Sequence, residues 1–325
     1  MTHPSAIIHA HTIDGNGYGR PLKDDEVSKE IKDHKLAWVH LNAITPHTRE
    51  WLQREVDYLD QIILDALLAE ETRPRIMEFE QGALIILRGM NLNENAEPED
   101  MISIRMWIDP SRIISIQRRK LKAVGDIVER LTAGTGPKDS GEFIAALSAR
   151  LFDRMEPVLT ELDERTDRIE ETVMEDPQIS ERQEIIDIRK EAIIYRRYIA
   201  PQRDVISALR LSELPWLTTM HKRHLQENLD RVLRYIEDLD AIRERAQIIK
   251  DELSNALSDR LNKNMYILSV IAAIFLPLGF LTGLLGINVG GIPGADNPYA
   301  FWIFIAMLTT LTTGQIALFK ALKWF

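Results

Sequence analysis

The chain has 325 residues, of which 45% are apolar and 28% charged, with no cysteine and a formal net charge of −10 at pH 7. This composition excludes a disordered or collagen-like chain, and the lack of cysteine excludes disulfides, thiolate metal ligands and cysteine nucleophiles. The acidic balance argues against a general nucleic-acid-binding protein, which would carry a basic surface, so no nucleic-acid partner is expected.

The first 135 residues have the pattern of a mixed α/β domain. Helical spacing predicts helices at 48–58 and 61–70, the second ended by the segment TRPR at 72–75. A cluster of turn-forming residues at 132–141 predicts the end of the domain. The first residues lack the basic start and long apolar core of a secretory signal, so none is expected. Strands are predicted from β-branched or alternating apolar runs at 6–13, 36–41, 83–90, 102–108 and 112–117.

Residues 136–263 are predicted to form a stalk of long helices. After Gly141 there is no glycine until Gly279, and Glu, Arg, Leu, Ile and Asp dominate the segment. Proline interrupts helices because it lacks an N–H group. We therefore expect breaks at positions 157, 177, 201 and 215, with residues 176–177 turning one long helix into the next.

The last helix of the stalk has a continuous apolar face. No proline lies between Pro215 and Pro277, which predicts one helix from about 218 to 285, roughly 100 Å long at ~1.5 Å per residue. One helix cannot bury such a face alone, so we expect other copies of the chain to cover it. The face repeats every 3.6 residues on average through Leu225, Leu229, Val232, Ile236, Leu239, Ile242, Ala246, Ile249, Leu253, Leu257 and Leu261.

Residues 264–325 are predicted to form a membrane domain. Lys263 is followed by 32 uncharged residues. Apolar stretches at 265–285 and 299–319 each give about 31 Å of helix, which matches a hydrocarbon core of about 30 Å. The alternative is a pair of buried helices in a soluble protein.

Basic residues predict the topology of this membrane domain. Lys263 precedes the first span and Lys320 follows the second, whereas the loop at 286–298 has no Lys or Arg. The positive-inside rule therefore places both termini in the cytoplasm and the loop outside. Residues 1–263, with 38 Lys and Arg against 49 Asp and Glu, are then an acidic cytoplasmic part.

The outer end of the first span carries the most specific motif of the chain, Gly286, Ile287 and Asn288. At this place between two terminal spans, it resembles the Gly-Met-Asn motif of the CorA family of divalent-cation channels and transporters. Ile in the middle position is similar to the zinc-transporting branch of that family. The resemblance covers essentially the whole chain. Three further segments are similar to the same branch: TRPR at 72–75, YRRYIAPQR at 195–203 and GINVGGIPG at 286–294.

The resemblance implies an α+β membrane protein that forms a CorA-like pentameric funnel. An N-terminal α/β domain and a long helical stalk would lie in the cytoplasm, and five copies of the first of two transmembrane helices would line a pore. The expected partners are four further copies of the chain, the lipid bilayer of the bacterial inner membrane and divalent metal ions.

The function implied by the resemblance is transport of Zn²⁺, with Cd²⁺, Ni²⁺ and Co²⁺ as further cargo and uptake stimulated by protons. Alternatives of the same fold are a Mg²⁺/Co²⁺ channel and a zinc efflux pathway, and a different class is a membrane-anchored metal sensor or scaffold. The sequence has no phosphate loop, dinucleotide-binding turn, nucleophile elbow or HExxH motif, so neither an enzyme nor a bound cofactor is expected.

Asn288 is the predicted selectivity residue. A ring of five Asn288 amides would offer neutral oxygens to the water shell of a hydrated divalent ion, and weak binding of this kind permits release. Gly286 would let the backbone approach the pore axis, and Ile287 would only pack. The alternative role of Asn288 is a helix C-cap, since Asn tolerates the left-handed conformation.

A stripe of α-helical spacing leads to this motif from the cytoplasmic side. As a pore face, its large residues would form apolar rings that gate by dewetting. Alternatively, Gly279 and Gly283 form a Gly-xxx-Gly helix-packing motif. The candidate pore-lining residues are Met265, Leu268, Ala272, Leu276, Gly279 and Gly283.

Metal-binding candidates in the cytoplasmic part are two pairs of histidines and one acidic run. His221 and His224 lie one helical turn apart, and His9 and His11 alternate along a predicted strand. We expect exposed histidines with structural roles as the alternative, and a solvated helix face as the alternative for the acidic run. That run consists of Glu161, Asp163, Glu164, Asp167, Glu170 and Glu171, of which Glu164 and Asp167 are the metal candidates.

Overall fold

Residues 6–32, 35–287, 292–294 and 296–322 are described in this computed structural model of the chain. The chain divides into a first unit, Met1–Asp251, and a second unit, Glu252–Phe325.

A sheet of six strands forms the centre of the first unit in the described residues. Its order is β1-β2-β6-β5-β4-β3, with β2 parallel to β6 and the other neighbours antiparallel. The five predicted strands and two predicted helices are confirmed. The elements are β1 (Ile7–Thr12), α1 (Asp24–Lys32), β2 (Ala37–Asn42), α2 (His47–Glu55), α3 (Gln61–Leu68), β3 (Arg75–Glu78), β4 (Ala83–Gly89), β5 (Ile102–Ile108) and β6 (Arg112–Gln117).

Both faces of this sheet are covered, which explains the nearly continuous apolar runs of its strands. Since side chains alternate along a strand, Val39 and Leu41 of β2 join the apolar core against α1, α2 and α3. Trp38 points to the opposite face, where its ring lies 5.0 Å from the ring of Phe143, between centroids. Phe143 belongs to the helix α5 (Ser140–Asp153), which follows α4 (Lys122–Thr132).

Long helices follow the sheet, as the sequence predicts. They are α6 (Glu156–Glu175), α7 (Glu181–Leu211), α8 (Thr219–Leu285) and α9 (Ala300–Ala321). The turn at 176–177 and the long uninterrupted α8 are confirmed. The predicted break at Pro201 is wrong, because α7 continues through it. The neighbouring Ile199, Gln202 and Val205 are buried, so packing offsets the hydrogen bond that the proline removes.

The apolar face of α8 is buried within one chain. From Leu225 to Ile249, its residues are at most 8% exposed. Asn228 donates to the carbonyl oxygen of Ala145 on α5 at 2.9 Å, and Arg196 of α7 donates to Asp240 on α8 at 2.6 Å. The prediction that other copies cover this stretch is therefore wrong, because helices of the same chain cover it.

Gly141 allows α5 and the start of α8 to meet. A Cβ atom at this position would lie 2.0 Å from Nδ1 of the buried His221. The contact explains a glycine in the first turn of a helix, where alanine would otherwise be more stable.

The substitution Gly141→Ala is expected to lower the free energy of unfolding by about 1–3 kcal/mol, because the new methyl group displaces the His221 ring. Gly125→Ala in α4 is the matched control, since no heavy atom of the described residues lies within 4 Å of that Cβ position. It should raise stability by about 0.5–1 kcal/mol. Thermal unfolding of the full chain in detergent measures both, and equal effects would contradict the packing argument.

Candidate functional site

The C-terminal part of α8 and the helix α9 are, among the described residues, the helices long and apolar enough to cross a membrane. Within the second unit, Gln315 Nε2 of α9 donates to the carbonyl oxygen of Ala273 on α8 at 3.3 Å. Hydroxyl groups of α9 donate to carbonyl oxygens one turn earlier, so they have partners in apolar surroundings. They belong to Thr309, Thr310, Thr312 and Thr313, with distances of 2.8–2.9 Å.

The predicted stripe of α8 lies on the side of the helix away from α9. At 100° per residue, its six members fall within about 80° of one another around the helix axis, so they share one side of α8. All six are exposed, Met265 and Leu268 to 67% and Leu276 to 71%. The buried or half-buried residues on the opposite side are Val270, Ala273, Ile274, Pro277, Leu278 and Leu281. The stripe therefore forms an exposed apolar surface on one side of α8.

The motif at the end of α8 begins with a backbone constraint. The N–H group of Gly286 donates to the carbonyl oxygen of Thr282 at 2.9 Å. A Cβ atom at Gly286 would lie 2.8 Å from that same oxygen, so glycine permits this close turn. Ile287 follows with 48% of its surface exposed. Asn288 lies outside the described residues.

The two histidines at the start of α8 have different surroundings. His221 is buried, with Nδ1 accepting from the N–H group of Thr218 at 3.2 Å and Nε2 lying 3.2 Å from Oδ1 of Asp139. His224 is exposed, with Nδ1 3.8 Å from Glu227. The expectation of exposed histidines is thus wrong for His221, since both of its ring nitrogens have partners in the chain.

Arginines bind much of the acidic run on α6. Arg245 of α8 donates to Asp163 at 3.2 Å, to Glu170 at 2.5 Å and to Asp167. Arg168 lies 3.8 Å from Glu164. The run is therefore partly a contact surface for α8 rather than only a solvated face.

No group of three or more His, Asp or Glu side chains among the described residues is placed to hold a metal ion. Metal binding by His221, His224, Glu164 or Asp167 stays a prediction.

A cluster of histidines lies on the α5 side of the sheet. The ring centroid of His9 lies 6.5 Å from that of His11 and 6.2 Å from that of His40. Ser115 Oγ accepts from Trp38 Nε1 at 2.7 Å and lies 2.8 Å from His40 Nδ1. His11 is buried, so the expectation of exposure is wrong there too. The sequence did not place His40 in this cluster, because only the strand register shows that it lies opposite His9.

Burial favours the neutral form of the imidazoles in this cluster. Burial lowers the pKa of His40 to about 3, helped by the nearby His9 and opposed by a hydrogen bond with Gln117. Burial also lowers the pKa of His9, with a contribution from Lys120. The pKa of His11 is lowered by burial and then by His9.

The comparison with known proteins gives a family over most of the chain. Residues 33–320 match the family described as CorA-like Mg²⁺ transporter protein. The chain is 37% identical over 320 residues to the zinc transport protein ZntB of Pectobacterium atrosepticum, covering 98% of this chain and 96% of that protein. It is also 37% identical over 321 residues to the divalent cation transporter CmaX of Pseudomonas aeruginosa, with the same coverage.

A solved structure gives the same likeness in three dimensions. The structure of the full-length CmaX protein superimposes with a TM-score of 0.86 at 36% identity and covers 100% of both chains. The likeness therefore extends over the sheet, the long helices and the two candidate membrane helices.

The pKa of His40 predicts a loss of stability in acid. Because the folded-state pKa lies below the unfolded value of about 6.5, stability is full above pH 6.5 and is lost as the pH falls toward 3. At pH 5, His40 alone should cost about 2 kcal/mol relative to pH 8.

The variant His40→Gln tests this loss. It should show a smaller decrease in unfolding free energy between pH 8 and pH 5 than the wild type. Some decrease should remain, since the pKa values of His9 and His11 are also lowered. Chemical unfolding of the full chain in detergent measures it, and an unchanged pH dependence would contradict the assignment to His40.

Proposed function

The chain belongs to the family of CorA-like Mg²⁺ transporter proteins, and we propose that it carries Zn²⁺ and other divalent cations through a homopentameric pore in the inner membrane. Metal-ion transport of the CorA type follows from the family and the named relatives. The identity of the ion, the number of subunits and proton stimulation of uptake belong to the proposal.

The names of the relatives support a cargo of more than one ion. One relative at 37% identity is named for zinc and another at 37% for divalent cations in general. The loop at 286–298 has one acidic residue, Asp296, and none directly after Asn288. This favours Zn²⁺ with Cd²⁺, Ni²⁺ and Co²⁺ over a dedicated Mg²⁺ site.

The observation that carries the proposal is the exposed stripe of α8 on the side away from α9. Two helices of one chain enclose no pore, so a path for ions requires several chains. With five copies, the α8 helices would stand inside and the α9 helices outside. The stripe from Met265 to Gly283 would then face the axis and lead to Gly286 and Asn288.

The chemistry of this path is that of weak binding to a hydrated ion. Five Asn288 amides would accept hydrogen bonds from the water shell of the ion without a charged group to hold it. Below them, Met265, Leu268 and Leu276 would form apolar rings that stop conduction when they lose water. Gly279 and Gly283 would leave room near the outer end.

The cytoplasmic part would supply the ions or receive them. We assign residues 1–135 and 136–263 to the cytoplasm, with both termini inside, from the distribution of Lys and Arg around the two spans. Their excess of acidic residues would raise the local concentration of cations.

Proton stimulation needs titratable groups outside the spans. Residues 265–285 and 299–319 contain no Asp, Glu, His, Lys or Arg, so no proton relay runs within them. Any coupling would act at the mouths of the pore or in the cytoplasmic part.

Flux through Asn288 is the direct test. Purified protein in liposomes should admit Zn²⁺, measured with a trapped fluorescent indicator, and an inward proton gradient should raise the rate. Asn288→Ala should lower the rate at least tenfold, because the ring of amide oxygens is lost. Asn297→Ala, in the same loop, is the matched control and should conduct as the wild type does.

Each outcome of the flux measurement separates two functions. Flux lost in Asn288→Ala but indifferent to protons would mean a passive channel. Zinc flux unchanged in Asn288→Ala would contradict the amide ring. If no divalent ion passes under any gradient, the result would contradict transport and favour the alternative function of a membrane-anchored sensor or scaffold.

The subunit number is tested separately. Native mass spectrometry of the protein in detergent should give five times the chain mass of 37.3 kDa. A monomer or dimer that still conducts would contradict the proposed pore.

A further inference from the structure

A basic cavity of about 610 Å³ lies in the first unit, and all of its lining residues belong to that unit. It lies beside strands β4, β5 and β6, the segment after α3 and the middle of α7. Six arginines line it together with three carboxylates, those of Glu70, Glu71 and Asp100, so positive charges exceed negative ones by three. Its arginines are Arg73, Arg88, Arg105, Arg118, Arg119 and Arg197.

Arg105 is the strongest indication that the cavity takes an anion. Its side chain, on β5, has no exposed surface. Nη2 donates to the carbonyl oxygen of Glu70 at 3.2 Å, whereas Nε and Nη1 have no hydrogen-bond partner among the residues that the structure describes. Burial, together with Arg118 and Arg88, lowers the pKa of Arg105 to about 10. A buried guanidinium with two unpaired nitrogen donors is costly, and a bound anion would offset that cost.

Neutral groups, rather than a carboxylate, hold the guanidinium of Arg88 in place. Its guanidinium donates to the carbonyl oxygens of Thr72 at 2.6 and 3.2 Å and of Met101 at 2.9 Å. It also lies 4.2 Å from the ring centroid of Tyr198. These neutral partners fix the orientation of the group and leave its positive charge for a ligand.

Two of the three carboxylates pair with arginines of the cavity. Asp100 binds Arg119 through both carboxylate oxygens. Glu70 lies 3.3 Å from Arg118, but its side chain is 84% exposed, so water screens this pair. Arg118, Arg105 and Arg88 therefore face the cavity with little neutralisation.

The cavity also joins two of the segments that carry the family resemblance. The TRPR segment contributes Thr72 and Arg73, and the YRRYIAPQR segment contributes Arg197 and Tyr198. Gln202 of the second segment accepts from the backbone N–H group of Arg88 at 3.0 Å. The proposed ion conduction through the second unit gives neither segment a role. The sequence did not show that the two segments lie side by side, because they are more than a hundred residues apart in the chain.

We infer that the basic cavity binds a phosphorylated small molecule with at least two negative charges. The planar forks of several guanidinium groups match the oxygens of phosphate groups, which they bind in pairs of hydrogen bonds. The excess of three positive charges fits a di- or triphosphate. The volume lies in the range of small-molecule sites. This ligand site is independent of the ion path and does not rest on the proposed cargo.

Calorimetric titration of the full-length protein in detergent tests the site. The probes are inorganic phosphate, pyrophosphate and ATP, each with EDTA present so that metal binding by the phosphates does not contribute. Pyrophosphate and ATP should bind saturably at one site per chain, and inorganic phosphate should bind at least tenfold more weakly. Raised salt should weaken all three.

Substitutions at the cavity give the residue-level test. Arg118→Gln and Arg197→Gln should each weaken pyrophosphate binding at least tenfold, with thermal unfolding used to verify folding. Arg203→Gln is the matched control on α7, since Arg203 pairs with the neighbouring Asp204 and does not line the cavity. It should bind pyrophosphate as the wild type does.

Two results would overturn the inference. One is the absence of saturable binding of pyrophosphate and ATP at millimolar concentration, as expected if an acidic segment of another copy fills the cavity. The other is equal loss in Arg203→Gln and Arg197→Gln, which would mean non-specific attraction. Equal affinity for pyrophosphate and ATP would assign recognition to the phosphates, and tighter binding of ATP would extend it to the nucleoside.

Discussion

A backbone that enters a membrane must satisfy its own hydrogen bonds, and this constraint shapes the C-terminal part of α8 and the helix α9. The chain meets it by extending a helix of the first unit, so that α8 runs unbroken over 67 residues. One stretch of α8 packs an apolar face against helices of the same chain. The later stretch is apolar all round, and its exposed stripe is left to other chains or lipid.

Much of this architecture could be predicted because its signals are local. Strands such as β4 and β5 are runs of apolar residues, and α8 is marked by a spacing of 3.6 and by the lack of proline. The short, charged α1 and the four-residue edge strand β3 gave no such signal. Pro201 showed the limit of a local rule, since burial of its neighbours keeps α7 intact.

The site was predictable in part, for a different reason. Gly286 and the stripe of α8 could be located from order along the chain and helical period. The contacts of Arg105 and His40 could not, because they depend on strand register and on which helix covers which face. Register brings together residues far apart in sequence, and neither composition nor spacing encodes it without the fold.

The contact between Gly141 and His221 has a consequence for how this sequence can change over time. A Cβ atom at Gly141 would lie only 2.0 Å from Nδ1 of His221, so neither position varies freely. A lineage that acquires a larger side chain at 141 must already have, or soon gain, a smaller one at 221. Among descendants of a common ancestor, the two positions should covary, although they lie 80 positions apart in the chain.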